Sequence, residues 1–392
     1  MRNNDDNEIE IISNRLYYTI QSNPTDSPSI HYFSTDDNEE FFYQPFFNDF
    51  GPLSLLQIHK FYLMVEKMLR TQKKVIYYYS CSKIESISNS TLLIGSFLLI
   101  YSKLNIPEII RITDPIMKKS RPFRDASPLP VTFELDIPTC LGALQKAMDL
   151  KWYIPILFSS DDWQHFEKVE NGDMNWIIPE KLLAFASPYQ ERIFQGCWKV
   201  ATPKEITPFF KVHNINHVIR LNSKTYDETP FIQAGIKFTE LIFTDGSNPP
   251  FSILHSFLRI MDTQDVVALH CKAGLGRTGT LAACFLAQNF GFTGPEAIAW
   301  VRICRPGSVI GQQQHFVVEY ANSLKNNKLT KKSSTLRKSL PPNLLPKIDN
   351  IRQFTKLNKN SKDYQNKPIS SHPQPRKLQR LPIPKSSLKD FV

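Results

Sequence analysis

The chain has 392 residues, 41% apolar and 12% aromatic, too long for one small domain and too apolar to be disordered throughout, so one or two buried cores are expected. Its formal charge of +10 is unevenly placed: Lys325 to Val392 hold 17 Lys or Arg against three acids, net +14, while residues 1–324 hold 30 basic and 34 acidic residues, net −4. A mildly acidic body with a basic appendage argues against a nucleic-acid-binding fold.

The N-terminus, MRNNDDNEIE, lacks an apolar signal core, and a secreted protein is not expected. Lys74–Ser80 (KVIYYYS) reads as a strand running into Cys81, followed by a polar loop and an apolar helix near Thr91–Tyr101. That apolar run is short of the ~20 residues that cross a bilayer, so no transmembrane helix is expected. Asp161–Asn171 (DDWQHFEKVEN) is charged with helical spacing and reads as a linker helix. Glu240–Thr244 reads as an apolar strand before the turn Asp245-Gly-Ser-Asn-Pro-Pro. Val266–Leu269 is a second strand, running into His270 and Cys271, then a loop and a helix from about Thr278 to Asn289. Strand, cysteine loop, helix, twice over, suggests two α/β domains of related build, a pattern that chance also produces. Helices are expected over Gly294–Cys304, with Pro295 near its first turn, and from about Gln312 to Leu324. The tail has no glycine, eight prolines and three aromatics, and is expected to be disordered. The boundaries drawn are 1–156 for a first domain, 157–170 for the linker helix, 171–325 for a second domain and 326–392 for the tail. Six cysteines without a CxxC pair argue against a disulfide scaffold and a structural zinc site; no metal or cofactor is expected, and a reducing compartment fits.

The informative segment is VVALHCKAGLGRTGT, 266–280, where Gly274, Gly276 and Gly279 crowd into six residues. A strand ending in such a loop and starting a helix aims backbone N–H groups and a helix dipole at one point, a cradle for a phosphate dianion built from Lys272, Ala273, Gly274, Leu275, Gly276 and Arg277. No Gly-Lys-Ser/Thr closes the loop, which excludes the nucleotide-binding type. Cys271 among these donors and beside Arg277 is favoured as thiolate, a nucleophile in line with a leaving oxygen. Arg277 suits two equatorial phosphate oxygens. Thr278 is placed to hydrogen-bond the sulfur. Asp245, in a mobile-looking turn, is the expected general acid, with Asp262 and Asp265 set aside because they precede the nucleophile strand. Gln313 and Gln314 are candidates to position the hydrolytic water.

HCKAGLGRTGT is similar to the signature of tyrosine and dual-specificity phosphatases. With HYFSTDD (31–37), NDFGPL (48–53), PFRDAS (122–127), VENGDMNW (169–176), VIRLN (218–222), DGSNP (245–249) and VRICRPGSVIG (301–311), the stretch from Arg15 to Leu324 resembles the cell-division-cycle-fourteen, or mitotic-exit, phosphatases. That resemblance implies two tandem dual-specificity-phosphatase-like α/β domains, of which only the second is catalytic; Ile87, six residues after Cys81, stands where the second copy has Arg277. It implies Cys271 as nucleophile, Arg277 as phosphate binder, Asp245 as acid, and Gln313 and Gln314 as the family's glutamine pair, with Gln312 replacing the family's usual proline. It further implies phosphoprotein substrates with phosphoserine-proline and a downstream basic residue. An acidic groove would read that residue, to which Glu167, Glu170 and Asp173 could contribute. A phosphoinositide phosphatase, disfavoured by Leu275 where such enzymes carry a lysine, and a silent phosphoprotein-binding scaffold remain as rivals. The tail is expected to bind an acidic partner such as chromatin or tubulin, and nucleus and cytoplasm, with spindle or centrosome, are the expected locations.

Overall fold

The computed structural model describes residues 7–191, 194–195 and 198–330; the expected disordered tail, from 331 onward, lies outside the described residues, as does Cys197. The first domain holds β1 (Glu8–Ile12), β2 (Leu16–Ile20), β3 (Ile30–Ser34), α1 (Leu55–Thr71), β4 (Val75–Ser80), α2 (Ile84–Phe97), α3 (Ile106–Met117), β5 (Phe123–Arg124), β6 (Glu134–Leu135) and α4 (Ile137–Asp149). The linker carries α5 (Ser160–Phe166). The second domain holds β7 (Met174–Ile178), β8 (Leu182–Ala186), β9 (Phe194–Gln195), β10 (Trp198–Lys199), α6 (Pro203–Val212), β11 (His217–Arg220), α7 (Thr229–Gln233), β12 (Lys237–Glu240), α8 (Phe251–Met261), β13 (Val267–Cys271), α9 (Gly276–Phe290), α10 (Gly294–Cys304) and α11 (Gln312–Thr330).

The two sheets share a plan. The first runs β1-β2-β4-β3, with β4 parallel to both neighbours and β1 antiparallel at the edge. The second runs β12-β11-β13-β8-β7, with β13 parallel to both neighbours and β7 antiparallel at the edge. Each cysteine strand is therefore internal, and the second sheet differs only by one extra edge strand. The repeated strand–loop–helix pattern in the sequence is thus a repeated topology. Burial follows position: every residue of the central strand β13 is buried, as a parallel strand covered on both faces requires. In β4 burial alternates, with Ile76, Tyr78 and Ser80 turned inward.

Local chemistry accounts for the helix bounds. Thr293 and Glu296 form a reciprocal capping box at the start of α10, with a proline in its first turn. The helix ends at Cys304, as its sequence predicts. Elsewhere the expected bounds move. The linker is not one helix over 157–170: α5 spans only Ser160–Phe166, and a separate 3-10 turn spans Val169–Asn171. The strand expected at Glu240–Thr244 lies earlier, at Lys237–Glu240; its regular ladder with β11 ends at the Arg220–Glu240 pair, and single bonds from the Leu241 and Phe243 N–H groups to the Arg220 and Leu221 carbonyls follow it. The last helix continues to Thr330, five residues past the boundary drawn for the tail. The stretch Ile84–Ser102, 19 residues, is by length and composition apolar enough to cross a membrane, but 72% of its apolar window is buried inside the first domain. It is the helix against which that core packs.

One apolar cluster runs through both domains. Trp152, past the end of α4, lies flat on Phe292 at 5.6 Å and edge-on to Phe290 at 4.8 Å, with Trp300 beside it. Burying side chains of this size contributes roughly 1.5–3 kcal/mol each, so the domains share a core rather than touching through a wet surface. Lys146 adds an ion pair to Glu296 and a hydrogen bond to the Gly291 carbonyl.

Candidate active site

Strand β13 delivers Cys271 to the loop 272–275, and α9 starts at Gly276. Cys271 is buried with 3% of its surface exposed, while Ala273 and Gly276 are half-buried and Lys272 is exposed, so the loop opens to solvent over the sulfur. Gly274 is at φ +66°, and an added Cβ there would stand 2.1 Å from the Phe185 carbonyl oxygen. Only glycine fits that turn.

Arg277 is buried at the first turn of α9. Its Nη1 donates to the carbonyls of Leu221 (3.1 Å) and Phe243 (2.9 Å), which fixes the plane of the fork. Its Nε makes no hydrogen bond and lies 3.3 Å from Asp245 Oδ1. Asp245 is 69% exposed, in the loop after β12. Next to Arg277, the buried Thr278 Oγ1 also has no hydrogen-bond partner. The expected bond from Thr278 to the sulfur is therefore not made here. Buried polar groups are ordinarily satisfied, and two adjacent orphans on one turn mark a place that a ligand's oxygens would complete. Asp265 pairs with His217 and Lys237 at the opposite end of β13, in agreement with its exclusion as the acid.

Burial pushes His270 down to about 3 and keeps its ring neutral. Its Nε2 meets Tyr226 Oη at 2.7 Å, and its Nδ1 lies 3.1 Å from the Cys271 carbonyl oxygen. The three fully buried cysteines, Cys140, Cys284 and Cys304, have thiols pushed up by burial. Among the described residues the cysteines are unpaired, and no group of three or more His, Cys, Asp or Glu could hold a metal ion.

Arg305, which the sequence reading used only as the end of a helix, braces the loop from behind. Its Nε donates to the Gly274 carbonyl (2.8 Å), its Nη2 to that of Ala273 (2.9 Å), and its Nη1 to Asp173 Oδ1 and Asn175 Oδ1 (2.8 Å each). This corrects Asp173. The side chain is 3% exposed and ion-paired to a fully buried guanidinium, so in this structure it faces the loop brace and not a groove. Glu167 and Glu170 are half-buried on the linker, and Glu167 accepts a long hydrogen bond, 3.5 Å, from Asn175.

The two glutamines separate. Gln313 is buried beside Gly276, where an added Cβ would meet its Oε1 at 2.9 Å, and its Nε2 donates to the Ser247 carbonyl of the Asp245 loop at 3.0 Å. Gln314 is also buried, but its Oε1 accepts from Arg302 (2.7 Å) and its Nε2 donates to the Gly311 carbonyl (3.1 Å). Both ends of that amide are used to hold the turn, which corrects its assignment to the water. Gln312 is exposed at the first position of α11, where the N–H has no intrahelical partner in any case. Replacing proline there removes no bond.

An internal strand ending in a Cys-x5-Arg cradle, with a carboxylic acid above the arginine, defines the phosphatases that work through a cysteine nucleophile. Residues 10–147 match the family of the dual specificity protein phosphatase N-terminal half, and residues 173–318 match the Swiss Army Knife protein, DSP-PTPase phosphatase domain. The chain is 39% identical over 366 residues to Dual specificity protein phosphatase CDC14AB of Danio rerio, covering 90% of this chain and 59% of that one. It is 37% identical over 324 residues to Dual specificity protein phosphatase CDC14C of Homo sapiens, covering 82% and 72%. It is 33% identical over 332 residues to Tyrosine-protein phosphatase CDC14 homolog of Schizosaccharomyces pombe, covering 79% and 60%. The chain belongs to the CDC14 family of dual-specificity phosphatases.

Proposed function

We propose that the chain hydrolyses phosphoserine- and phosphothreonine-proline sites, and phosphotyrosine, through a phosphocysteine intermediate, reversing cyclin-dependent kinase phosphorylation in cell-cycle or cytoskeletal control. The observation that carries the reading is Asp245 Oδ1 at 3.3 Å from the unbonded Nε of Arg277, on the loop that cradles Cys271. A phosphate held by that arginine lies within reach of the acid and of the sulfur together. Cys271 attacks phosphorus, Arg277 and the loop N–H groups hold the equatorial oxygens, and Asp245 protonates the departing oxygen. Water then releases phosphate.

Glu167 and Glu170, with Asp161 and Asp162 close by, favour a basic residue downstream of the phosphosite. Asp173 takes no part. The basic tail favours salt-sensitive attachment to an acidic partner such as chromatin or tubulin, and with it residence in the nucleus and cytoplasm, at spindle or centrosome. The phosphoinositide reading is disfavoured because Leu275, where a second loop cation would stand, is 1% exposed and packed inward. The test is phosphate release from phosphoserine-Pro-x-Lys, its phosphothreonine and phosphotyrosine versions, a peptide without the lysine, and a soluble phosphoinositide, with Cys271→Ser alongside. Preference for the first peptide supports the reading. Preference for the lipid, or equal turnover by Cys271→Ser, removes it; binding without release from any substrate leaves the scaffold.

A further inference from the structure

The turn that carries Gln313 is held from outside its own domain. Asp125, in the turn after β5 of the first domain and 3% exposed, accepts a 2.8 Å hydrogen bond through Oδ2 from the Gly311 N–H. Asp125 is itself fixed, because the neighbouring Arg124 donates through Nη2 to the carbonyls of Ser127 (2.9 Å) and Leu129 (2.8 Å). On the catalytic side, Arg302 takes the carbonyls of Ser308 (2.9 Å) and Val309 (2.8 Å). The Ile310 N–H donates to Gln313 Oε1 at 3.2 Å, and Gln313 Nε2 reaches the acid loop at Ser247. A few residues past Asp125, Thr132 Oγ1 meets His315 Nε2 at 2.9 Å, and Phe133 packs edge-on to that ring. The segment 123–133 thus grips the turn and first helical residues that set Gln313 between the phosphate loop and the acid loop.

We propose that Asp125 is a positioning residue for the second chemical step, setting the Gly311–Gln313 turn so that Gln313 orients the water that attacks the phosphocysteine. This rests on the phosphatase reading above. In that step a water oxygen bonds to phosphorus as the P–S bond breaks, and the bonding pair returns to Cys271 as thiolate. The water proton passes to the Asp245 carboxylate, which gave its own proton to the leaving oxygen in the first step, and inorganic phosphate departs. Asp125 bonds neither Cys271, Arg277 nor Asp245; Gln313 also holds the acid loop at Ser247, but nitrophenolate leaves without a proton, so with an aryl phosphate the loss of Asp125 falls on the second step. The first domain is then part of the catalytic apparatus without supplying a catalytic residue.

The test is rapid-quench kinetics of the full chain with p-nitrophenyl phosphate, reading nitrophenolate and acid-trapped phosphocysteine, together with the thermal unfolding midpoint. For Asp125→Ala the first equivalent of nitrophenolate appears at the wild-type rate, steady turnover falls by roughly 10- to 100-fold, as expected for one lost charge-assisted bond, and phosphocysteine accumulates toward one per chain. Asp125→Asn keeps an acceptor for the Gly311 N–H and should stay within about threefold of wild type. Should Asp125→Ala not fold, Asp125→Ser, whose hydroxyl suits the turn but is too short to reach Gly311, is held to the same criteria. Unchanged steady turnover, equal slowing of both steps, or an Asn variant as slow as the Ala variant would each overturn the proposal. If wild type forms no phosphocysteine, the phosphatase reading itself fails.

Discussion

Asp173 separates two physical accounts of one residue, and Asp173→Asn tests them. As a groove acid it would bind a substrate lysine, and its loss would weaken basic peptides while leaving stability alone. In the structure its carboxylate is 3% exposed and faces a guanidinium with no exposed surface. Removing one partner of a buried pair leaves an uncompensated charge and costs about 3–5 kcal/mol. Arg305 keeps neutral acceptors at Asn175, Ala273 and Gly274, which places the cost near the lower figure, about 3 kcal/mol. At roughly 2–4 °C per kcal/mol for a domain of this size, the unfolding midpoint should fall by about 6–12 °C. Asn is a clean probe because the backbone there is at φ +49°, a conformation it tolerates. The loop hung on Arg305 should loosen with the lost pair, so kcat/KM falls in equal proportion for peptides with and without the downstream lysine. An unchanged midpoint with a selective loss on the lysine peptide would refute this account and return Asp173 to the groove.

Gly274→Ala must relieve both a positive φ and a 2.1 Å approach to the Phe185 carbonyl, so affinity for inorganic phosphate, read as inhibition, should fall at least tenfold with turnover; retained affinity would show that the turn can move. Asp245→Ala should slow a phosphoserine peptide far more than an aryl phosphate, whose leaving group needs no proton; equal slowing on both reassigns the acid. The Lys146–Glu296 pair predicts a pH signature. Burial works to raise the Glu296 carboxyl, but bonds from Lys146 and Thr293 overcome it and hold it below its ordinary 4.5. A depressed carboxyl stabilises the fold above the unfolded value and loses that contribution as pH falls through the folded one. The stability gap between wild type and Lys146→Met, measured by denaturant unfolding, should therefore be full at pH 6 and close below pH 4.5. A gap constant down to pH 3 would mean the pair contributes packing alone.

What the sequence revealed depended on how local its cause was. The loop at Cys271 and the helix Gly294–Cys304 are written in consecutive residues, glycine spacing in one case and a capping box in the other. The roles of Asp173 and Arg305 are not, because the pair spans 132 positions, and an aspartate in VENGDMNW reads as surface until the sheet brings β7 against the loop. The end of β12 was also set elsewhere. Residues 241–244 are apolar enough to continue the strand, but the regular ladder with β11 stops at Arg220 and Glu240, and beyond it the Leu241 and Phe243 N–H groups reach the Arg220 and Leu221 carbonyls (2.9 and 3.3 Å). The same backbone turns its Phe243 carbonyl to the site, where it becomes an anchor for Arg277. Gln313 and Gln314 look alike in sequence, and what tells them apart is distant: Arg302 takes the Gln314 oxygen, while Gln313 reaches the Ser247 carbonyl.

The first domain shows why a copy of this fold persists without its chemistry. Where the second domain would hold a phosphate, the first holds its own anion: the Cys81 N–H donates to Asp36 Oδ2 at 2.7 Å, and the Ser86 hydroxyl bonds the other oxygen. Asp36 comes from HYFSTDD, just after β3, and Ile87, in the place of the clamp, is 4% exposed within the core. A carboxylate fixed in the cradle supplies the charge that a helix N-terminus favours, so the loop is stable with no ligand and has no vacancy for one. What the first domain offers the second is its outer surface. That surface is where Lys146, Trp152 and Asp125 meet the second domain, the last of them one hydrogen bond from the turn that holds Gln313. The first domain thus fills its own cradle and braces its neighbour's turn, and the role proposed for Asp125 would join the two domains in one reaction.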